Sequence, residues 1–180
     1  MIGRFQPLTN GHMKCVNEVW DALHVPTVLA MINVKDEKVD ERHPFPSTML
    51  LPIYNRVFKN NKRVEKIILV KSANIVEIGE VLHNEGYEIV SWSCGTDRLQ
   101  AYEKMANKYK DKAYLSDDFQ MFEIKRSDED VSATKARQAL IDNDKKLFSS
   151  LTPLMTIGGA LLGNRDYDKL RNQILTVVDN

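Results

Sequence analysis

The sequence predicts an α/β fold, a parallel sheet with helices on both faces, and two observations carry that prediction. Apolar runs of strand length, 27–34 (TVLAMINV) and 66–71 (KIILVK), are near-continuous rather than alternating, as in strands covered on both faces. Stretches whose apolar residues recur at helical spacing separate such runs. Strand and helix therefore alternate along the chain, which predicts a parallel sheet with right-handed crossovers.

Met1 and Ile2 can form little more than the end of a first strand, so the natural chain is expected to start further upstream. A turn rich in Gly and Pro follows. The helix expected over 12–22 carries Cys15, Val16, Val19, Trp20 and Leu23 at helical period. After the strand at 27–34, residues 35–46 are charged and Pro-containing, a loop over one face of the sheet. Residues 47–58 read as a helix that Pro52 either kinks or truly begins. The strand at 66–71 leads into an amphipathic helix at 74–84, and the strand at 87–93 (YEIVSWS) ends at Cys94-Gly95-Thr96-Asp97. A helix at 98–109, a strand at 119–125 (FQMFEIK) and a helix opening at Ser132 complete the alternation. Beyond Thr152-Pro153 the character changes. Gly158-Gly159 and Gly163-Asn164 bracket a short apolar run, and a helix at 166–178 puts Tyr167, Leu170, Ile174 and Val177 on one face. The expected organisation is one domain over 1–153 with a C-terminal helical tail over 154–180.

A chain of 180 residues can bury a sizeable core without disulfides or a structural metal. Its 25 basic and 25 acidic side chains cancel, so no global field recruits nucleic acid or an anionic membrane. Any positive charge needed for phosphates must be local. Cys15 and Cys94 lie far apart and form no metal-ligand pattern, which suits a reducing cytoplasm. The sequence carries no signal peptide and no transmembrane run.

Each stretch of functional interest falls just after a predicted strand: 3–12, 33–45, 95–98 and 132–137. Parallel α/β sheets bind ligands outside the carboxyl ends of their strands, where strand order reverses. Residues 3–12 (GRFQPLTNGH) read as turn and helix start, where unpaired N–H groups and the positive end of the helix dipole receive phosphate. Residues 131–137 (VSATKAR) read as a second helix start, capped by Ser132 or Thr134, with Arg137 one turn in.

These two runs resemble the paired signatures of the class I nucleotidyltransferase superfamily, GxFxPxxxGH and ISxTxxR. Within it, the GRFQP opening is most similar to the archaeal-type nicotinamide mononucleotide (NMN) adenylyltransferases. The resemblance runs from Gly3 to about Pro153 and implies a Rossmann-like domain. It implies attack by an acceptor phosphate on the α-phosphorus of a nucleoside triphosphate, first choice ATP with NMN as acceptor, as in NAD biosynthesis. Mg²⁺ would arrive with the triphosphate, with few protein ligands.

The resemblance also implies roles. His12 would contact the α-phosphate in the transition state, and the planar fork of Arg137 would hold the β- and γ-phosphates with Ser132 and Thr134. Arg4 would face the triphosphate or the second substrate. Gly3, Phe5 and Gly11 would bring the turn close to the nucleotide. Thr9 stands where many relatives carry a first histidine, and could hydrogen-bond a phosphate without charging it. Gly95, Asp97 and Arg98 would lie against base and ribose. Asn33, Arg42 and Trp92 would meet the acceptor, with His43 standing where those relatives have Asn.

Plainer readings stand beside these. His12 at a helix start can simply face solvent, Arg4 can be a surface arginine, and Ser132 and Thr134 can be ordinary caps. Trp92 at a strand position is more often core. The run Asp128-Glu129-Asp130 reads as a solvated loop.

Two further functions remain open. One is cytidylyl or adenylyl transfer to a sugar, polyol or pantetheine phosphate. The cytidylyl relatives carry RTxGxSTT before the second helix; here Arg126 sits one residue further from Ser132 and the glycine is missing. The other is a nucleotide-binding module without turnover. The tail would cap the nucleotide site or make a contact between copies in a homo-oligomer.

Overall fold

The computed structural model describes residues 1–124, 133–154 and 163–179; of Asp97, only the backbone is described. The strands are β1 (Ile2–Gly3), β2 (Thr27–Ile32), β3 (Val64–Val70), β4 (Ile89–Gly95) and β5 (Leu115–Ile124). The helices are α1 (Asn10–Leu23), α2 (Ser47–Phe58), α3 (Ile75–Asn84), α4 (Thr96–Tyr109), α5 (Ala133–Ile141), α6 (Lys145–Leu151) and α7 (Asn164–Val178).

Strand pairs β1–β2, β2–β3 and β4–β5 are all parallel. The hydrogen-bonded order is β1-β2-β3 in one sheet and β4-β5 in the other. With only two residues, β1 bonds to β2 but not to β4, and the ladder parts there. Ile2 still packs against the core cluster that holds Trp92 of β4 and Leu115 of β5, so β1 lies between the two halves. The chain runs outward from β1 through β2 to β3, then returns to build β4 and β5 on the other side. This reversal is the crevice expected to receive ligand.

The two faces of the sheet follow the period-two alternation of β2. Leu29 and Met31 enter a core filled from α1, α2, α5, α6 and α7. Val28, Ala30 and Ile32 point the other way, against Ile78 and Leu82 of α3. On that second side Ala106 of α4 packs with Trp92 and Leu115. Helices thus cover both faces, as the near-continuous apolar runs require. Fully burying a Leu, Ile or Phe contributes roughly 1.5–3 kcal/mol, so these cores hold the fold.

Pro52 neither starts α2 nor ends it: the helix opens at Ser47 and runs through. Pro52 lies on the exposed face, where the carbonyl it deprives of a partner can bond water. Helix α6 was not expected. Seven residues are too few to display a helical period, though its cap is plain: the Asp144 carboxylate accepts from the Leu147 N–H at 2.8 Å. The C-terminal helix packs into the main core. Tyr167, Leu170 and Ile174 of α7 are fully buried in the same cluster as Phe5, Leu8 and Phe148. Val177, expected on that face, is only half-buried. The Gly158-Gly159 bracket lies outside the described residues. Among the described residues, no helix is long and apolar enough to cross a membrane.

Candidate active site

The site begins where β1 ends. From Gly3 the chain doubles back through residues 4–8 to Thr9, which caps α1. Phe5 takes φ 50°, a left-handed conformation that an aromatic residue rarely adopts. Such a backbone persists only when its surroundings hold it. Two side chains do so. Tyr54 of α2, fully buried, donates its hydroxyl to the Phe5 carbonyl at 2.6 Å and accepts from the Leu8 N–H at 2.9 Å. The Gln6 carboxamide pairs with the backbone of Phe45 in both directions, donating at 2.7 Å and accepting at 3.0 Å. Burial pushes the Tyr54 phenol well above its usual pKa, against a smaller downward pull from the Leu8 N–H. It therefore stays a neutral donor.

Tyr54→Phe keeps the ring and removes the hydroxyl, stranding two buried backbone groups. A buried unpaired group costs about 1–3 kcal/mol. Thermal unfolding of Tyr54→Phe is expected roughly 5–15 °C below that of the wild type. A drop under about 2 °C would show that the turn holds without this clamp.

At the start of α1 the His12 ring folds back on its own cap. Nδ1 accepts from the Thr9 N–H at 3.0 Å and lies 2.9 Å from the Thr9 hydroxyl. This is the reciprocal arm of a capping box, with histidine in the place of Glu. Because Nδ1 accepts from a backbone donor, the neutral ring carries its proton on Nε2. The Phe5 ring meets His12 edge to face at 5.2 Å. His12 is half-buried, and its ring is oriented rather than loose at the helix start.

Arg137 of α5 brings the second motif to the first. Its guanidinium donates to the Gln6 carbonyl at 2.7 Å, across 131 residues of sequence, and to the Thr134 hydroxyl at 3.1 Å. Burial pulls its pKa below the usual guanidinium value, and the charge of Asp40 pushes back. Asp40 belongs to a third segment, the loop after β2. There the Asp40 carboxylate lies 3.1 Å from His43 Nδ1, and His43 Nε2 lies 3.3 Å from Arg4. An arginine only donates, so Nε2 accepts and the Nδ1 proton faces Asp40. Burial tends to raise the Asp40 pKa, but hydrogen bonds from the His43 N–H and ring and from the Arg42 N–H outweigh that and lower it. Arg4, His43, Asp40 and Arg137 thus gather beside the start of α1.

Several expectations need correction. Thr9 is 1% exposed, with its N–H and hydroxyl on His12. It orients that ring instead of meeting a phosphate. Phe5 is 3% exposed and belongs to the core. Gly3 is demanded by the protein itself: a Cβ there would come within 2.8 Å of the Phe5 ring. Trp92 is 4% exposed, stacked on Tyr102 at 4.6 Å, which leaves no ring face open to an acceptor.

Other residues fall where the strand ends place them. Gly95 caps α4, whose first turn holds Asp97 and Arg98, and the Thr96 hydroxyl there donates to Glu123 at 2.7 Å. Asn33 and Arg42 are exposed on the loop after β2. Gly11 lies in the first turn of α1 and Thr134 in that of α5. Ser132, Arg126 and Asp128-Glu129-Asp130 lie outside the described residues. From α7, Gln173 donates to the Pro44 carbonyl at 3.1 Å, so the tail also braces the loop after β2.

Sequence reasoning passed over Gln6, Tyr54 and Asp40. Gln6 stood inside a motif already in hand, but Tyr54 carries no signal beyond an apolar helix position.

No curated protein sequence matches the chain. The model of the cytidylyltransferase-like family matches residues 1–139, ending within α5 just past Arg137. That match covers the turn, the loop after β2 and Arg137. The parallel sheet with helices on both faces agrees with it. This chain therefore belongs to the cytidylyltransferase-like family of the class I nucleotidyltransferase superfamily, whose members join a nucleoside triphosphate to a phosphate-bearing partner.

Proposed function

We propose that this protein is a Mg²⁺-dependent adenylyltransferase whose first-choice reaction joins ATP to NMN. An oxygen of the acceptor phosphate attacks the α-phosphorus. A P–O–P bond forms as the bond to the bridging oxygen breaks, and pyrophosphate departs with the electron pair. Such a step asks little covalent chemistry of a protein, so positioning and charge stabilisation supply most of the rate.

One observation carries the reading. The bond from Arg137 to the Gln6 carbonyl draws the helix start with the oriented His12 and the cationic helix into one edge. His12 would donate from Nε2 to an α-phosphate oxygen, and Arg137 with Thr134 would hold the outer phosphates. Arg4 and Arg42 would meet the acceptor phosphate, with His43 and Asp40 orienting Arg4. Mg²⁺ would enter with the triphosphate and offset its charge. Arginines and a hydroxyl around the turn, with Asp40 as the neighbouring carboxylate, suit an ion held mainly by phosphate and water oxygens.

The test is pyrophosphate release with Mg²⁺, crossing ATP and CTP against NMN, nicotinate mononucleotide, phosphopantetheine and several sugar phosphates. The expected result is a kcat/KM for ATP with NMN at least about a hundredfold above the other pairs. CTP with a sugar phosphate as the preferred pair would move the protein to activated-sugar chemistry. ATP binding without release on any acceptor would favour a nucleotide-binding module.

A further inference from the structure

The loop after β2, which carries Asp40, Arg42 and His43, is closed at its neck. There the Val34 N–H donates to the Ser47 hydroxyl at 2.7 Å, and the Ser47 N–H donates to the Val34 carbonyl at 2.9 Å. At the tip Asp40 and His43 exchange backbone bonds; residues 40–42 are exposed and 44–46 are buried. Closed surface loops of this kind carry function when a rigid scaffold fixes their aim. The bonds at neck and tip lie within the loop and its own ends, so they give it a shape but not a direction.

Direction comes from one peptide group. The Pro44 carbonyl and the Phe45 N–H belong to the same planar unit, and in a trans peptide they point to opposite sides. The Phe45 N–H donates to the Gln6 carboxamide at 3.0 Å, and the Pro44 carbonyl accepts from the Gln173 carboxamide at 3.1 Å. The motif turn therefore grips one edge of this plane and α7 grips the other. Proline has a fixed φ and restricts the residue before it. Fixing the plane thus sets the path of the chain back through His43, which lies 3.3 Å from Arg4, to Arg42.

The helix that supplies Gln173 is seated without it. Tyr167, Leu170 and Ile174 of α7 are fully buried, and Asp166 pairs with Arg56 of α2. Gln173 is half-buried beside that seat, and its side chain makes this one hydrogen bond among the described residues. All of α7 lies beyond residues 1–139, so the second grip comes from outside the part of the chain shared with the family.

We infer that Gln173 is a positioning residue for the acceptor: by holding the Pro44–Phe45 peptide against Gln6, it aims Arg42 and His43 at the acceptor phosphate. This rests on the acceptor roles of Arg4 and Arg42 proposed above. It gives the C-terminal helix a part in binding the acceptor and none in binding the triphosphate. Small displacements of a positioning group reach the reaction even from a distance.

Two variants remove the donor at nearly constant side-chain size, Gln173→Met without a charge and Gln173→Glu with one. Amide exchange and melting are measured on the whole chain without substrate. Pyrophosphate release is measured with ATP and NMN, or with the acceptor that the wild type prefers. In both variants the Phe45 N–H is expected to exchange at least about fivefold faster, because its peptide has lost one of two grips. KM for the acceptor is expected to rise about tenfold, the scale of one lost hydrogen bond. KM for ATP and kcat should stay within about twofold of the wild type, and melting within about 2 °C. Unchanged exchange at Phe45, or an unchanged acceptor KM beside an active wild type, would overturn the inference. So would an equal rise in both KM values with a lower melting temperature, which would make Gln173 a general support of the fold. If the wild type released no pyrophosphate with any acceptor, the adenylyl-transfer reading would fall by itself. Exchange at Phe45 would then decide alone whether α7 holds the loop, faster exchange upholding the grip and unchanged exchange refuting it.

Discussion

Replacing His12 by alanine is expected to lower turnover by about a hundred- to a thousandfold, the typical cost of removing one well-placed donor to a developing charge. The size of the effect rests on orientation as much as on identity. The Thr9 N–H occupies Nδ1, so the proton sits on Nε2 before substrate arrives and no tautomer exchange is needed. Alanine also strands the Thr9 N–H, so part of any loss will come from stability, about 1–3 kcal/mol for a buried donor. His12→Asn separates the two effects. Its side-chain oxygen can still accept from Thr9 and preserve the cap, but it places no donor where Nε2 stands. The expected pattern is near wild-type melting for His12→Asn, a lower melting temperature for His12→Ala, and severe loss of pyrophosphate release in both. If either variant kept more than about a tenth of wild-type turnover with the preferred substrates, His12 would be a capping residue and not a catalytic one.

Arg137→Ala is expected to reduce kcat/KM for the triphosphate by a similar hundred- to thousandfold. Arg137→Lys should recover only part of that. The guanidinium reaches the Gln6 carbonyl with one nitrogen and the Thr134 hydroxyl with the other, a forked geometry a lysine ammonium cannot copy. The two readings of this arginine separate in the kinetics. If it binds the outer phosphates, KM for the triphosphate should rise in both variants while affinity for the acceptor stays unchanged. If it only braces the turn, melting temperature should fall and the KM values should not move. Burial lowers its pKa, but from so high a value that the group stays charged, so the loss should be the same at pH 6 and pH 9. A loss that varied across that interval would assign the effect to another residue.

The parallel strands were legible because burial on both faces leaves a mark that needs no partner to read. Residues 27–34 and 66–71 are apolar almost throughout, and β2 and β3 lie within or across them. Strand ends were harder. β5 begins at Leu115, four residues before the expected start, where Asp117 and Asp118 break the apolar run. The short α6 and the partnership of α7 with the main core depend on contacts from distant elements, and periodicity carries no record of those. In the site, the alignment of 3–12 and 131–137 after strands was visible, and so were His12 and Arg137. Sequence left the ligand and core readings of Thr9, Phe5 and Trp92 side by side because their residue types suit both; only neighbours decide between the two. Thr9 turned inward to His12, and Trp92 found Tyr102.

Composition and periodicity were thus enough for the alternation of strand and helix and for the parallel sheet, and motif spacing put the candidate residues after its strands. These properties are local: each follows from the residue types within one stretch of chain. Tertiary structure alone decided which way each side chain faces and what holds the reactive turn. Tyr54, the Phe45 backbone and Arg137 reach that turn from 46, 39 and 131 residues away, and the bonds they make exist only once the helices have packed.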